Sequence, residues 1–281
     1  MNPDWLIPDW PATSGVRAVF TTRQGGFSIA PYDTMNLGDH VGDAPDKVAA
    51  NRAVLQSAVG SRPVFLKQVH GSQVLAVDFA TGDGNVADAC ITSQRQLACT
   101  IMVADCLPVL LTTEDGSMVA AAHAGWRGMA GAGTAGGKRA EQGGRAGTGV
   151  LEAVYKSFCP LAQVTPAQPA MKLIAWLGPC IGPSAFEVGE EVKAAFGLTQ
   201  PQASRYFVPA GPGKYRADLA GLARLRLQAL GVTDVYGNDG GPGWCTHSNP
   251  SRFFSHRRDA AAVTGNGFGT TGRMAAAIWR I

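Results

Sequence analysis

The chain has 281 residues, 46% of them hydrophobic and 16% charged, with 24 Lys and Arg against 21 Asp and Glu for a net charge of +3. That length hides about three quarters of the unfolded surface in a core, and a near-balanced charge with no long Lys/Arg stripe argues against a dedicated nucleic-acid binder. No apolar run reaches the ~18 residues of a membrane span, and the acidic, proline-bearing start MNPDWLIPDWPATSG is unlike a secretory leader, so the expected protein is soluble, cytoplasmic and away from membranes.

In chain order, RAVFTT (17–22) reads as a strand running into the loop RQGGFS. A helix is expected after Asp43, with Pro45 in its first turn, Val48, Leu55 and Val59 on its apolar face, and Gly60 as its stop. PVFLKQV (63–69) reads as a short strand reaching His70-Gly71. CTIMVA (99–104) is a buried strand before Asp105-Cys106, residues 109–112 continue it after a break, and SMVAAA (117–122) ends in His123-Ala124-Gly125. His70, Cys106 and His123 thus each follow an apolar strand at a Gly- or Pro-marked turn, and such exits can converge at one sheet edge.

The segment GAGTAGGKRAEQGGRAGTG (131–149) reads as a flexible glycine-rich insertion; it lacks the P-loop pattern. A helix follows over 151–158. KLIAWL (172–177) reads as a strand entering GPCIGP, and Ser184-Ala185-Phe186-Glu187 has the form of a capping box opening a helix that ends near Gly197. The amides of that turn would suit an anion. Residues 218–230 form an amphipathic helix closed by Gly231, strands are expected at 232–236 and around 253–257, and the tail 273–281 is either strand or helix.

The six cysteines, Cys90, Cys99, Cys106, Cys159, Cys180 and Cys245, include no CxxC pair, so a zinc ribbon or thioredoxin-type motif is unsupported and most are expected to be buried thiols. Five histidines are too few for a blue copper centre plus a second, histidine-rich copper cluster. By spacing alone, His70, Cys106 and His123 read as two buried histidines and a core cysteine.

The strings FTTRQGGFS (20–28), NLGDHVGD (36–43), KQVHGSQV (67–74), ADCLPVLL (104–111), AAHAGWRG (121–128), GPCIGPSAFEVG (178–189) and CTHSNPSRFFSHRRD (245–259) resemble, in order, those of the laccase-domain family, which carries the names multicopper polyphenol oxidase and purine nucleoside phosphorylase. The resemblance implies one α/β domain over 1–281, with mixed β-sheets packed between helices, similar to a toxin-like cysteine-hydrolase fold. It implies that His70, Cys106 and His123 bind one metal ion, usually zinc with copper as the alternative, at a site with one open position. The implied activity is phosphorolysis of purine nucleosides (adenosine, guanosine, inosine, methylthioadenosine) with adenosine deamination beside it, which makes a purine nucleoside and phosphate the partners of a monomeric enzyme.

Two departures from the family pattern stand out: the glycine-rich segment is long, and TGNGFGTTGR (264–273) is extended. Within the matching strings, Cys106, His123 and Asp105 are the catalytic candidates, Asp105 as a carboxylate that orients a ligand histidine or caps a turn. Arg23, beside Gly25-Gly26, is a candidate for phosphate, and Asn36, Lys67, Gln68, Arg257 and Arg258 for ribose, base or phosphate. Trp126 is a candidate to stack a purine. Three other functions stay open: an amide hydrolase acting on peptidoglycan precursors with Cys106 as nucleophile and His123 as base, a mononuclear copper phenol oxidase, and a non-enzymatic binding module.

Overall fold

The computed structural model describes residues 2–131, 148–158, 172–198, 200–261 and 270–281. Most of the glycine-rich segment, the run 262–269 and Cys159 lie outside the described residues. The chain order is β1 Val16–Phe20, α1 Pro45–Val59, β2 Arg62–Phe65, β3 Val74–Ala76, β4 Ala89–Thr92, β5 Leu97–Val103, β6 Leu107–Thr113, β7 Val119–Ala124, α2 Trp126–Ala130, α3 Val150–Phe158, β8 Leu173–Leu177, β9 Glu187–Gly189, α4 Glu190–Gly197, β10 Phe207–Gly211, β11 Lys214–Ala217, α5 Leu219–Ala229, β12 Asp234–Gly237, α6 His256–Ala261 and β13 Met274–Arg280.

Two sheets stack face to face between helices. The first has the strand order β1-β13-β5-β2 and the second β12-β8-β6-β7-β4-β3; both mix parallel and antiparallel pairs. The period of two along each strand feeds different layers. In β5, Leu97, Cys99, Ile101 and Val103 point into the core between the sheets, with Phe20, Leu110, Ala121 and Trp176. Its alternate residues Ala98 and Met102 pack with Leu55 and Val59 of α1. On the far side, Leu107, Val109 and Leu111 of β6 meet Val154 and Phe158 of α3 and Leu222 and Leu227 of α5. Strands covered on both faces read as continuous apolar runs, which is why β5 to β8 are visible in the sequence.

Helix α1 starts on Pro45 and ends where Gly60 turns left-handed at φ 63°, and α5 is capped by the Asp218 side chain, which accepts from Gly221 N at 2.9 Å. Two local readings give way to tertiary pairing. Ser184 opens no helix: Glu187 lies in β9, in register with Arg216 of β11, and α4 begins only at Glu190. The turn amides expected to face an anion are engaged inside the protein, Cys180 N by Trp244 O, Ile181 N by Asp105 O and Gly182 N by Cys245 Sγ. Residues 253–257 are not a strand but lead into α6, and the ambiguous tail is the strand β13, central in its sheet between β1 and β5. The short strands β3, β4 and β9 to β11 have no counterpart in the sequence reading.

Candidate metal centre

The chain crosses from the first sheet to the second in the turn between β5 and β6, and Cys106 sits in that turn. His123 lies inside β7, just before its end, while His70 follows β2 in a loop with φ 60°. The fold brings one nitrogen from each histidine and the Cys106 Sγ within 4.8 Å of one another. Sγ and His70 Nε2 are 3.7 Å apart, and the two imidazoles meet edge to face at 4.7 Å between centroids.

Two histidines and a thiolate are a donor set that zinc accepts, and donors about 2.0–2.3 Å from a tetrahedral ion lie about 3.5 Å from one another. The observed spacing fits an ion at their centre. Gly125 adds a second sign: a Cβ on it would come within 2.9 Å of Cys106 Sγ and 3.0 Å of His70 Cδ2. Gly128 permits a further close approach, since a Cβ there would stand 2.6 Å from the Gly71 carbonyl. Both glycines of the GWRG string therefore let α2 close over the donors.

The carboxylate that orients this group is Asp88, which sequence reasoning missed. Fully buried, it accepts from the amides of Val69, His70 and Gly71 at 3.2, 2.8 and 2.7 Å, and its Oδ1 lies 2.8 Å from His123 Nδ1. One side chain thus pins the left-handed His70 turn and sets the tautomer of His123, leaving His123 Nε2 for an ion. Burial pushes the Asp88 carboxyl up, but the His123 hydrogen bond and charge and the loop amides outweigh it and hold it below the usual range. Burial likewise raises the Cys106 thiol, yet His123 and His70 bring it down to about 6. His123 is pushed down by burial and raised to about 9 by Cys106 and Asp88. Without an ion, the pair is thiolate and imidazolium near neutral pH. The only sequence signal for Asp88 is its place just before the apolar run of β4.

Asp105 has a different role from orienting a histidine. Its carboxylate accepts from Thr246 Oγ1 and from Arg257 N, both at 2.6 Å, so it fastens the start of α6 and the 246 loop to the Cys106 turn. The three donors stand in a cleft of about 470 Å³, within the range of small-molecule sites. Trp126 and Phe186 line it as aromatic surface, and Arg127, Arg257 and Arg273 as cations. His40 and His256 line it too.

Among the substrate candidates, Gln68 and Arg257 reach this cleft. Gln68 is locked to Met102, accepting from its amide and donating to its carbonyl. Arg23 instead donates to Asp33 and to the Pro250 carbonyl and lies over the Phe254 ring. Asn36, fully buried, binds Gly38, Asp43 and the Arg273 amide. Arg258 donates to the carbonyls of Thr246, His247 and Phe253. Exposed Lys67 makes a backbone bridge to Val86. None of these four lines the cleft. Arg127 and Arg273 do, and the sequence reading did not single them out.

A layered α/β sandwich with a three-donor group at the crossing between its sheets defines a candidate metal site set in a cleft of small-molecule size. The family model for the multi-copper polyphenol oxidoreductase laccases matches residues 17–281, and the chain belongs to that family. It is 45% identical over 278 residues, 98% of each chain, to a purine nucleoside phosphorylase of Pseudomonas aeruginosa, and 42% identical over the same shares to the purine nucleoside phosphorylase YfiH of Escherichia coli. The solved structure of a Neisseria meningitidis protein superposes with a TM-score of 0.81 at 40% identity, covering 99% of both chains. YlmD of Geobacillus stearothermophilus superposes at 0.76 with 30% identity, over 95% of this chain and 92% of its own. Among the described residues, the one group of donors able to hold a metal ion is His70, Cys106 and His123, and no helix is long and apolar enough to cross a membrane.

Proposed function

We propose that the chain is a cytoplasmic, monomeric, zinc-dependent purine nucleoside phosphorylase, one domain over 1–281, acting on adenosine, guanosine, inosine and methylthioadenosine and also deaminating adenosine. The observation that carries this reading is the His70, Cys106 and His123 group standing in a cleft with both aromatic and cationic lining. The names of the relatives support the phosphorylase half of it.

The three donors would hold the ion, with Asp88 fixing His123 and the His70 loop. A bound zinc supplies Lewis acidity inside the cleft. Trp126 and Phe186 offer faces on which a purine stacks. In phosphorolysis a phosphate oxygen bonds to the anomeric carbon of ribose as the glycosidic C–N bond breaks, and the electron pair leaves with the purine, which takes up a proton. In deamination, water adds to the purine carbon bearing the amino group and ammonia departs. The cationic lining offsets the charge of phosphate in the first reaction. The test is a purified, zinc-loaded enzyme that releases hypoxanthine from inosine only with phosphate, and ammonia from adenosine without it. Both activities are expected to fall with a chelator, return with zinc and vanish in Cys106→Ala; absence of both from the zinc-loaded protein overturns the reading.

A second reading has its own observation. Without an ion, Cys106, His123 and Asp88 form a thiolate, imidazolium and carboxylate chain, the arrangement of a cysteine-dependent amide hydrolase. Amide cleavage that survives a chelator and is lost on alkylation of Cys106 would establish it in place of the first. Phenol oxidation by copper-loaded protein but not by zinc-loaded protein would mark the mononuclear copper alternative.

A further inference from the structure

The three arginines of the cleft are not equivalent. Arg127 lies over the Trp126 ring, 4.4 Å from its centroid, and Arg257 gives Nη1 to the Glu187 carbonyl and stands 5.8 Å from the Phe186 centroid. Both are tied to the aromatic lining. Arg273 stands just before β13 and lines the same cleft as Cys106 and His40. Its backbone is clamped, its amide donating to Asn36 Oδ1 at 2.8 Å and its carbonyl accepting from Leu37 N at 3.0 Å. Its stem fills the space over Gly38, where a Cβ would come within 2.7 Å of its Cγ.

The guanidinium is only half used. Nη1 donates to the carbonyls of Thr271 and Gly272 at 2.8 and 3.2 Å, while Nε and Nη2 meet no acceptor among the described residues. Among the described residues no carboxylate hydrogen-bonds to it, and the one carboxylate among those lining the cleft, Asp105, is taken by Thr246 and the Arg257 amide. The edge formed by Nε and Nη2 is the face of arginine that takes two oxygens of a phosphate side by side. Burial and, after it, the charge of Arg273 hold the His40 imidazole below its usual range.

Resting on the proposed phosphorylase reading, we infer that Arg273 anchors an oxyanion subsite for inorganic phosphate at the Cys106 and His40 side of the cleft. The guanidinium offsets the charge of a phosphate dianion held there. Holding two oxygens on Arg273 leaves a third to form the bond to the anomeric carbon. Neither charge nor atoms are lost: the phosphate becomes the sugar 1-phosphate, and the bonding pair leaves with the purine.

The experiment compares wild type, Arg273→Gln and Arg273→Lys. Calorimetric titration with inorganic phosphate reads the subsite directly, and steady-state phosphorolysis of inosine separates KM for phosphate from KM for nucleoside. Arg273→Gln is expected to weaken phosphate binding and raise KM for phosphate roughly ten- to hundredfold, as loss of a charge-assisted pair does, with KM for inosine within about twofold. Arg273→Lys is expected to restore part of the binding, keeping the charge without the fork. Unchanged phosphate binding in Arg273→Gln overturns the subsite and leaves the phosphorylase reading standing. So does a fall in kcat with KM for phosphate unchanged. Wild type that binds phosphate through Arg273 but phosphorolyses nothing overturns the phosphorylase reading and keeps the subsite. Adenosine 5′-monophosphate is the second arm: if Arg273→Gln removes its binding and not that of free phosphate, the assignment to inorganic phosphate is overturned.

Discussion

Both carboxylate oxygens of Asp88 are occupied, by three loop amides and by the imidazole of a donor histidine. Asp88→Asn keeps the shape, removes the negative charge and places an amide where an acceptor is needed. Losing such an outer partner typically costs about 10–100-fold in metal affinity; competition with a chromogenic zinc chelator measures it, and unchanged affinity would show that Asp88 only braces the loop. The pH dependence of ion binding follows from the same residues. Burial opposes both charged forms, yet the attraction between them wins, with Cys106 at about 6 and His123 at about 9 in the ion-free protein. Between these values the thiolate is ready to bind, but His123 must lose a proton first. Affinity is therefore expected to fall as pH drops below about 9, by up to about tenfold per unit from His123 alone, and to steepen below about 6 as the thiol also protonates. Zinc titrations from pH 5.5 to 10 check the sign; an affinity flat from 7 to 9 contradicts it.

Among the elements, α2 and the strands that flank the site decide how closely the donors are held. Helix α2 has only the five residues Trp126–Ala130, too few to be stable alone, so its position rests on packing. Gly128 makes that packing possible, because any Cβ would run into the Gly71 carbonyl, a backbone atom that cannot swing aside. Gly128→Ala is expected to destabilise the fold by about 1–3 kcal/mol and to loosen zinc binding through the His70 turn. Urea denaturation read beside metal content tests both; a variant with full affinity and wild-type stability would show that α2 does not bear on the donors. Strands also explain which elements the sequence reveals. The strands β5, β6, β7 and β8, buried on both faces, stand out as apolar runs, and α1 is marked by Pro45 and Gly60. Three-residue strands such as β3 and β9 carry no period of their own and exist because a partner strand pairs with them. The Ser184 pattern misled for the same reason: Glu187 pairs in β9 rather than capping a helix.

For the whole molecule, the donors come from three separate stretches that the stacked sheets and the Asp88 clasp bring together. An ion bound there is a cross-link between them and stabilises the folded chain by mass action, about 2.7 kcal/mol when free ion is a hundredfold above its Kd. Chelation is expected to lower Tm by several degrees and zinc to restore it, while Cys106→Ala should show about one zinc fewer per chain and no response to chelator. Differential scanning calorimetry with metal analysis reads both, and an equal chelator effect on wild type and variant would place the ion elsewhere.

The sequence alone carried the α/β class and most of the long strands and helices, and its resemblance to the laccase-domain family, through KQVHGSQV, ADCLPVLL and AAHAGWRG, implied the three donors. Those features are local: apolar runs, helix stops and motif spellings are written within a few consecutive residues. Only the tertiary structure decided that Asp88 rather than Asp105 touches a donor histidine, that Arg23, Asn36, Lys67 and Arg258 do not line the cleft, and that Arg273 does. The reason is physical: these outcomes depend on strand register and on hydrogen bonds between residues far apart in the chain, such as Asp88 with His123 and Asp105 with Thr246, and nothing in the local spelling of either partner encodes the meeting.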